Sequence, residues 1–337
     1  MSLRHFLSTE PWSRDELQAM IDRARQFRES PHGDALKDKS VGLMFFNPSL
    51  RTRSSFDIGT YQLGGHAIVL DARGQTWPVE FDDGAIMDGE PEEHAKEAAR
   101  VLSRYVDLIA IRCFPKFQDW SVEREDPLIE AYAKYATVPV INMETIVHPC
   151  QELAMMMAMQ DKMGDVRGKD FLLTWVPHPK PLNTAVANSA ILMASKMGMN
   201  VRMLVPDEAY RLDERYMGAA ERFCAEAGTQ LTLTTDVEGA YSGAHMVYAK
   251  SWGALPFYGQ WENEAAVRAK GKGFMVDDAK MALTDNAYVS HCLPMRRNVK
   301  IADSVVDSPA FLGIEEAENR LHVQKAIMET LVGGARS

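Results

Sequence analysis

The 337-residue sequence has no paired cysteine pattern, no long apolar run, no excess of positive charge and no complete nucleotide fingerprint. Each lack removes a class of function. Cys113, Cys150, Cys224 and Cys292 do not have the short paired spacings of a zinc site or a disulfide framework. No stretch reaches the roughly 18 consecutive apolar residues of a membrane-spanning helix. The start, Met1-Ser2-Leu3-Arg4-His5-Phe6, has no apolar core of a secretory leader, and a cytoplasmic location is expected. A formal net charge of −10 argues against a nucleic-acid surface. Gly271-Lys272-Gly273 lacks the third glycine of a dinucleotide turn, and Gly164–Asp170 is one residue short of a P-loop and lacks its Ser/Thr. A phosphate bound here is therefore not expected to belong to ATP or NAD, and neither a metal nor a cofactor is expected.

What is present is an ordinary enzyme composition, 46% hydrophobic and 25% charged, at a length that suggests two domains. The most informative stretch is Phe46-Asn47-Pro48-Ser49-Leu50-Arg51-Thr52-Arg53-Ser54-Ser55-Phe56. It follows the apolar run Val41–Phe46, read as a buried strand, and leads into a helical pattern. A strand running into a helix start offers amide N–H groups and the positive end of the helix dipole to an anion. Arg51 and Arg53 add planar forks and the hydroxyls add single donors. In an acidic chain such a local concentration of arginine carries meaning. The alternative is a solvated turn.

Ser13-Arg14-Asp15-Glu16 has the form of a capping box and opens a helix through Phe27. Strands are expected at 41–46, 66–70, 106–112 and 138–143, and in a second α/β pattern at 171–176, 201–205, 231–234, 246–249, 274–276 and 287–291. Helices are expected at 182–197 and 213–227, from Glu92 onward, after Pro149, and from Glu315 to about Leu331. Strands alternating with helices predict two doubly wound parallel-sheet domains, 1–150 and 151–314, with the helix 315–337 returning to the first. The piece from Asp71 to about Glu93 is long, irregular and rich in Gly, Asp and Pro, which marks a functional or interface segment.

In open parallel sheets ligands gather at the C-terminal ends of strands. Ser49–Arg53, Arg112, His148–Gln151, Lys250-Ser251-Trp252 and His291-Cys292-Leu293-Pro294 all fall there. Alone, each has an ordinary reading: a surface charge, a turn histidine, a small buried cysteine. Together, Ser-x-Arg-Thr-Arg, His-Pro-x-Gln, His-Cys-Leu-Pro and Glu-Ala-Glu-Asn-Arg resemble the transcarbamylases, over nearly the whole span from Phe46 to Arg320. The resemblance implies a carbamoyl-phosphate domain, an amino-acid domain, and a homotrimer whose active sites are shared between subunits. By that resemblance Ser49, Leu50 through its backbone, Arg51 and Thr52 hold the phosphate, and Arg320, also bound to carbamoyl phosphate, closes the site. Arg112, His148 and Gln151 hold the carbamoyl group, and the Cys292-Leu293 backbone accepts from its NH₂.

For the acceptor, Ala249-Lys250-Ser251-Trp252-Gly253 stands where ornithine enzymes carry an aspartate that pairs with the free α-amine. An N-acylated amine has no charge there but keeps a carboxylate, which a lysine suits. The resemblance is therefore to the N-acetylornithine branch. It implies contacts to N2-acetyl-L-ornithine from Glu144, Lys250 and the Met295 backbone, selection against a succinyl group by Glu92, and an N-carboxylated Lys300. Trp77 is expected among the carbamoyl-phosphate-binding residues, and its long, charge-flanked loop either reaches a neighbouring subunit's site or forms a lid over its own. Residue chemistry alone gives Lys300 as a surface cation and Glu92 as a helix-start acid. Succinylornithine, ornithine and aspartate are the alternative acceptors. A non-catalytic carbamoyl-phosphate sensor and a structural scaffold are the readings from other classes.

Overall fold

The structure, a computed structural model, describes residues 3–72 and 78–334. The chain divides into two compact units, the first Met1–Lys116, Ser121–Cys150 and Asn319–Ser337, the second Phe117–Trp120 and Gln151–Glu318.

In unit 1 the strands are β1 (Ser40–Phe45), β2 (His66–Asp71), the two-residue β3 (Val79–Glu80) and β4 (Glu93–His94), β5 (Leu108–Arg112) and β6 (Val140–Glu144). The main sheet is parallel in the order β2-β1-β5-β6. After its first residue β1 is buried throughout, and so is all of β5, which is why both read as unbroken apolar runs. The chain leaves β1 toward β2 and later returns on its other side as β5. The order thus reverses between β1 and β5, where Phe45 lies opposite Arg112. A crevice at that reversal is the natural ligand site of such a sheet.

Unit 2 contains β7 (Asp170–Trp175), β8 (Asn200–Leu204), β9 (Leu231–Thr234), β10 (Met246–Lys250) and β11 (Tyr288–Ser290), parallel in the order β11-β10-β7-β8-β9. Its reversal lies between β7 and β10, with Lys250 opposite Trp175 at the carboxyl ends. The buried helix Ala185–Lys196 covers the sheet, and the cluster Leu172, Val247, Val289, Ile301 and Phe311 forms part of its core.

The terminal helix runs Gly313–Gly334 and contributes Asn319 onward to unit 1. There Arg23 grips Glu329 through Nε (2.6 Å) and Nη2 (2.8 Å). The fully buried Lys325 donates to the Pro31 carbonyl at 2.9 Å and to Gln62 Oε1 at 2.7 Å. These contacts fix the helix that carries Arg320.

Two local expectations change. Residues 274–276 do not form a strand: a 3₁₀ turn, Lys270–Gly273, precedes them, β11 occupies the free side of β10, and Val276 makes one isolated bridge to Ile301. The helix expected from Glu92 starts at Ala95, because Glu93 and His94 pair with β3 and the His94 ring caps the Lys96 amide at 3.0 Å.

Candidate active site

In unit 1 the strand-to-helix turn after β1 is built as an anion cradle. Ser49 is the N-cap of the helix Leu50–Gln62, and its Oγ accepts from the Thr52 amide at 3.2 Å. The first turn holds no acid, which is unusual for a helix start and leaves the dipole's positive end uncompensated by the helix itself. A pocket of about 350 Å³ opens beside it, lined by Asn47, Pro48, Ser49, Leu50 and Arg53 among others. Thr52 is fully buried, and its Oγ1 accepts from Arg320 Nη2 at 2.5 Å.

Arg112 ends β5 and is buried; its Nη1 donates to Glu144 Oε2 in a short ion pair. His148 Nε2 lies 3.5 Å from the same carboxylate oxygen. Burial, above all, pushes the Arg320 guanidinium below its ordinary pKa; Cys150 and Glu144 oppose the shift, while the charges of Arg112 and Arg51 add to it. Three arginines are therefore close enough to repel one another. Desolvated cations collected in one place are stabilised by a dianion, and guanidinium forks match phosphate oxygens. The sequence placed Ser49, Arg51, Thr52, Arg112, His148 and Arg320 in the site, and unit 1 brings them together. Glu144, expected at the acceptor, touches the Arg112 and His148 side chains. Leu50 is exposed at the helix start. Glu92 is exposed, its amide donating to the Pro78 carbonyl at 3.2 Å. Trp77 lies outside the described residues.

Unit 2 gathers a second set. Gln151 is buried and donates through Nε2 to Glu316, whose carboxylate also accepts from Tyr248 Oη at 2.7 Å and from Ser290 Oγ. Next to β11, His291 Nδ1 meets the Cys292 carbonyl, which is only an acceptor, so Nδ1 carries the proton and Nε2 faces Lys300 Nζ at 3.0 Å as an acceptor. Lys300 is 3% exposed, so the surface-cation reading is wrong: the chain folds back over it through the bridge Val276–Ile301. Burial, aided by Lys250 and Arg296, brings its pKa down to about 7, while Cys292 opposes the shift. Burial and the charges of Lys300 and Lys250 hold His291 well below the ordinary histidine value. Lys250 closes β10 and is buried, and Cys292, Leu293 and Met295 follow β11 half-buried. Among the described residues no group of three or more His, Cys, Asp or Glu side chains is arranged to hold a metal ion.

Residues 4–161 match the carbamoyl-phosphate-binding domain model of the aspartate/ornithine carbamoyltransferases, and residues 181–331 match their Asp/Orn-binding domain model. The chain belongs to the aspartate/ornithine carbamoyltransferase family. Within this carbamoyltransferase family, an N-acetylornithine carbamoyltransferase of Xanthomonas campestris is 58% identical over 338 residues, covering 100% of each chain. An N-succinylornithine carbamoyltransferase of Bacteroides thetaiotaomicron is 33% identical over 88% of this chain and 89% of its own. A crystal structure of acetylornithine transcarbamylase complexed with acetylcitrulline superposes with a TM-score of 0.96 at 58% identity, covering 98% of this chain and 99% of that one.

The residue that sequence reasoning left without a role is Glu316. It stands inside the Glu-Ala-Glu-Asn-Arg motif, yet an acid in a helix's first turn has a sufficient explanation in the dipole. Its three donors come from segments far apart in sequence, so no spacing announces them.

Proposed function

We propose that the protein transfers the carbamoyl group of carbamoyl phosphate to the δ-amine of N2-acetyl-L-ornithine, giving N-acetyl-L-citrulline and phosphate in arginine biosynthesis. The observation that carries the chemistry is the pair of buried arginines beside the capped turn at Ser49, Arg320 on Thr52 and Arg112 on Glu144, with Arg51 close enough to repel Arg320. Full-length identity of 58% to an N-acetylornithine carbamoyltransferase supports the choice of amine.

In this reading the neutral δ-amine attacks the carbamoyl carbon and a C–N bond forms. Negative charge builds on the carbonyl oxygen, where Arg112, His148 and the Thr52 hydroxyl donate. The bond from carbon to the phosphate oxygen then breaks, and the leaving phosphate takes the proton that the nitrogen loses. Ser49, Leu50 and Arg51 hold the phosphate, with Arg320 closing on it. Gln151 and the Cys292-Leu293 backbone accept from the carbamoyl NH₂. Lys250 takes the acceptor's α-carboxylate, and Glu144 and the Met295 backbone complete its contacts. A homotrimer with shared sites fits the exposed Leu50, Ile58 and Tyr61 that share one face of their helix. Trp77 is proposed to reach a neighbour's site. No described helix is long and apolar enough to cross a membrane, and a cytoplasmic site of action is proposed.

The test is turnover with three amines. Acetylornithine should exceed succinylornithine and free ornithine in kcat/KM; equal turnover of free ornithine would refute the acceptor assignment. Glu92→Pro should raise the succinyl-to-acetyl ratio by about tenfold or more, since it removes a carboxylate that repels the second carboxylate of the succinyl group. An unchanged ratio would remove Glu92 from acceptor selection.

Lys300 is proposed to carry an N-carboxyl group. With a pKa near 7 its amine is about half neutral at neutral pH, and a neutral amine adds to carbon dioxide and releases a proton. The product exchanges a crowded cation beside Lys250 for an anion that pairs with it. With isotope-labelled bicarbonate, carbon NMR should show one carbamate signal that grows as pH rises through about 7 and is missing in Lys300→Met. A signal that survives the substitution would assign the modification elsewhere.

A further inference from the structure

We infer that Glu316 is a positioning residue that fixes the orientation of the Gln151 amide and so presents that side chain's oxygen to the carbamoyl NH₂. The inference rests on the carbamoyl-transfer reading and deepens it. An amide has two faces, one donating and one accepting, and which one meets a ligand depends on what holds the other. Glu316 is 1% exposed and stands in the first turn of the terminal helix, where the dipole favours a carboxylate. Gln151, Tyr248 and Ser290 all donate to the Glu316 carboxyl oxygens, so the Gln151 NH₂ is turned toward Glu316 Oε1 and its carbonyl oxygen becomes the end left for a donor.

The carboxylate is itself held in place. Tyr248 Oη, from β10, donates to Oε1 at 2.7 Å, and Ser290 Oγ, from the end of β11, donates to Oε2. Both donors are buried, so the network is shielded from water and its directions are enforced. A carbamoyl group ends in an NH₂ that donates, and inorganic phosphate has no such group. The arrangement thus favours carbamoyl phosphate over its own product, and the preference is set three residues before the Asn-Arg that ends the motif.

The experiment measures two dissociation constants, for phosphonoacetamide as a stable carbamoyl phosphate mimic and for inorganic phosphate, in the full-length protein. Glu316→Gln lets Gln151 turn either way, so phosphonoacetamide should bind about tenfold more weakly, with phosphate unchanged. The double substitution with Gln151→Ala should be no worse than Gln151→Ala alone. Equal weakening of both ligands, or additive effects, would overturn the inference, because a merely structural role moves both together. If Glu316→Gln does not fold, Tyr248→Phe decides. It keeps the ring and removes one donor, and a selective loss for phosphonoacetamide is expected, whereas an unchanged ratio overturns the idea. Failure of the underlying reading is distinguishable, since the unsubstituted protein would then not separate the two ligands at all.

Discussion

Arg112→Met should lower kcat/KM by about a thousandfold, and Arg112→Lys should recover only a small part of that loss. The guanidinium ends β5 at the reversal of the unit 1 sheet, buried and paired with Glu144. Donors fixed in a dry site need no reorganisation when charge develops on the carbonyl oxygen, and losing one typically costs a factor of about 10² to 10³. Arg112 lies close enough to Arg320 to shift its ionisation, so the substitution also takes one cation from the cluster proposed to offset the phosphate's charge. Lysine keeps a charge but not the planar fork, and at a bidentate site that exchange is not conservative. The substitution also leaves Glu144 without its ion-pair partner in a largely buried place, which should lower stability by roughly 1–3 kcal/mol. Thermal melting of Arg112→Met, and of the double variant with Glu144→Gln, separates the two effects. The double variant should regain stability and remain inactive. Activity returning with stability would mean that Arg112 acts only on the fold.

The capped turn at Ser49 was legible because strand, cap and helix follow one another within a few residues, and each leaves a local mark. Val41–Phe46 is apolar throughout because both faces of a parallel strand are covered, and Ser49 stands where a helix needs an acceptor for its first amides. Lys300 was not legible. Arg296, Arg297 and Asn298 just before it are exposed and polar, and what buries it is the return of the chain past Val276. Sequence neighbours give no hint of that closure. The strand expected at 274–276 failed for a related reason: an apolar triplet becomes a sheet strand only if an edge is free, and β11 had taken the edge of β10. Glu316 was hidden by having an adequate local explanation as a helix-start acid.

Arg320→Met should lower carbamoyl-phosphate affinity by about a hundredfold while leaving the ligand-free protein as stable as before or more so. The two halves of the prediction have one cause. Arg320 is 4% exposed, and burial together with Arg112 and Arg51 depresses its pKa. A group whose charged form is disfavoured in the folded state subtracts from stability at every pH below its folded pKa, which for a guanidinium covers the working range. Replacing the desolvated cation by an apolar side chain of similar length removes its desolvation cost and the repulsion from Arg112 and Arg51. The same crowding is what an arriving dianion relieves, and the short-range geometry, Nη2 on Thr52 Oγ1 at 2.5 Å, aims the fork at the turn that Ser49 caps. A charge-assisted hydrogen bond from a guanidinium to a phosphate oxygen contributes about 1.5–3 kcal/mol. The readout is the melting temperature with and without carbamoyl phosphate or phosphonoacetamide. The native protein should gain a large ligand-induced shift, as binding to the folded state alone requires. Arg320→Met should melt at or above the native ligand-free temperature and gain almost nothing from ligand. A variant that melts lower and still gains the full shift would make Arg320 a structural residue and return the phosphate grip to the Ser49–Arg53 turn alone.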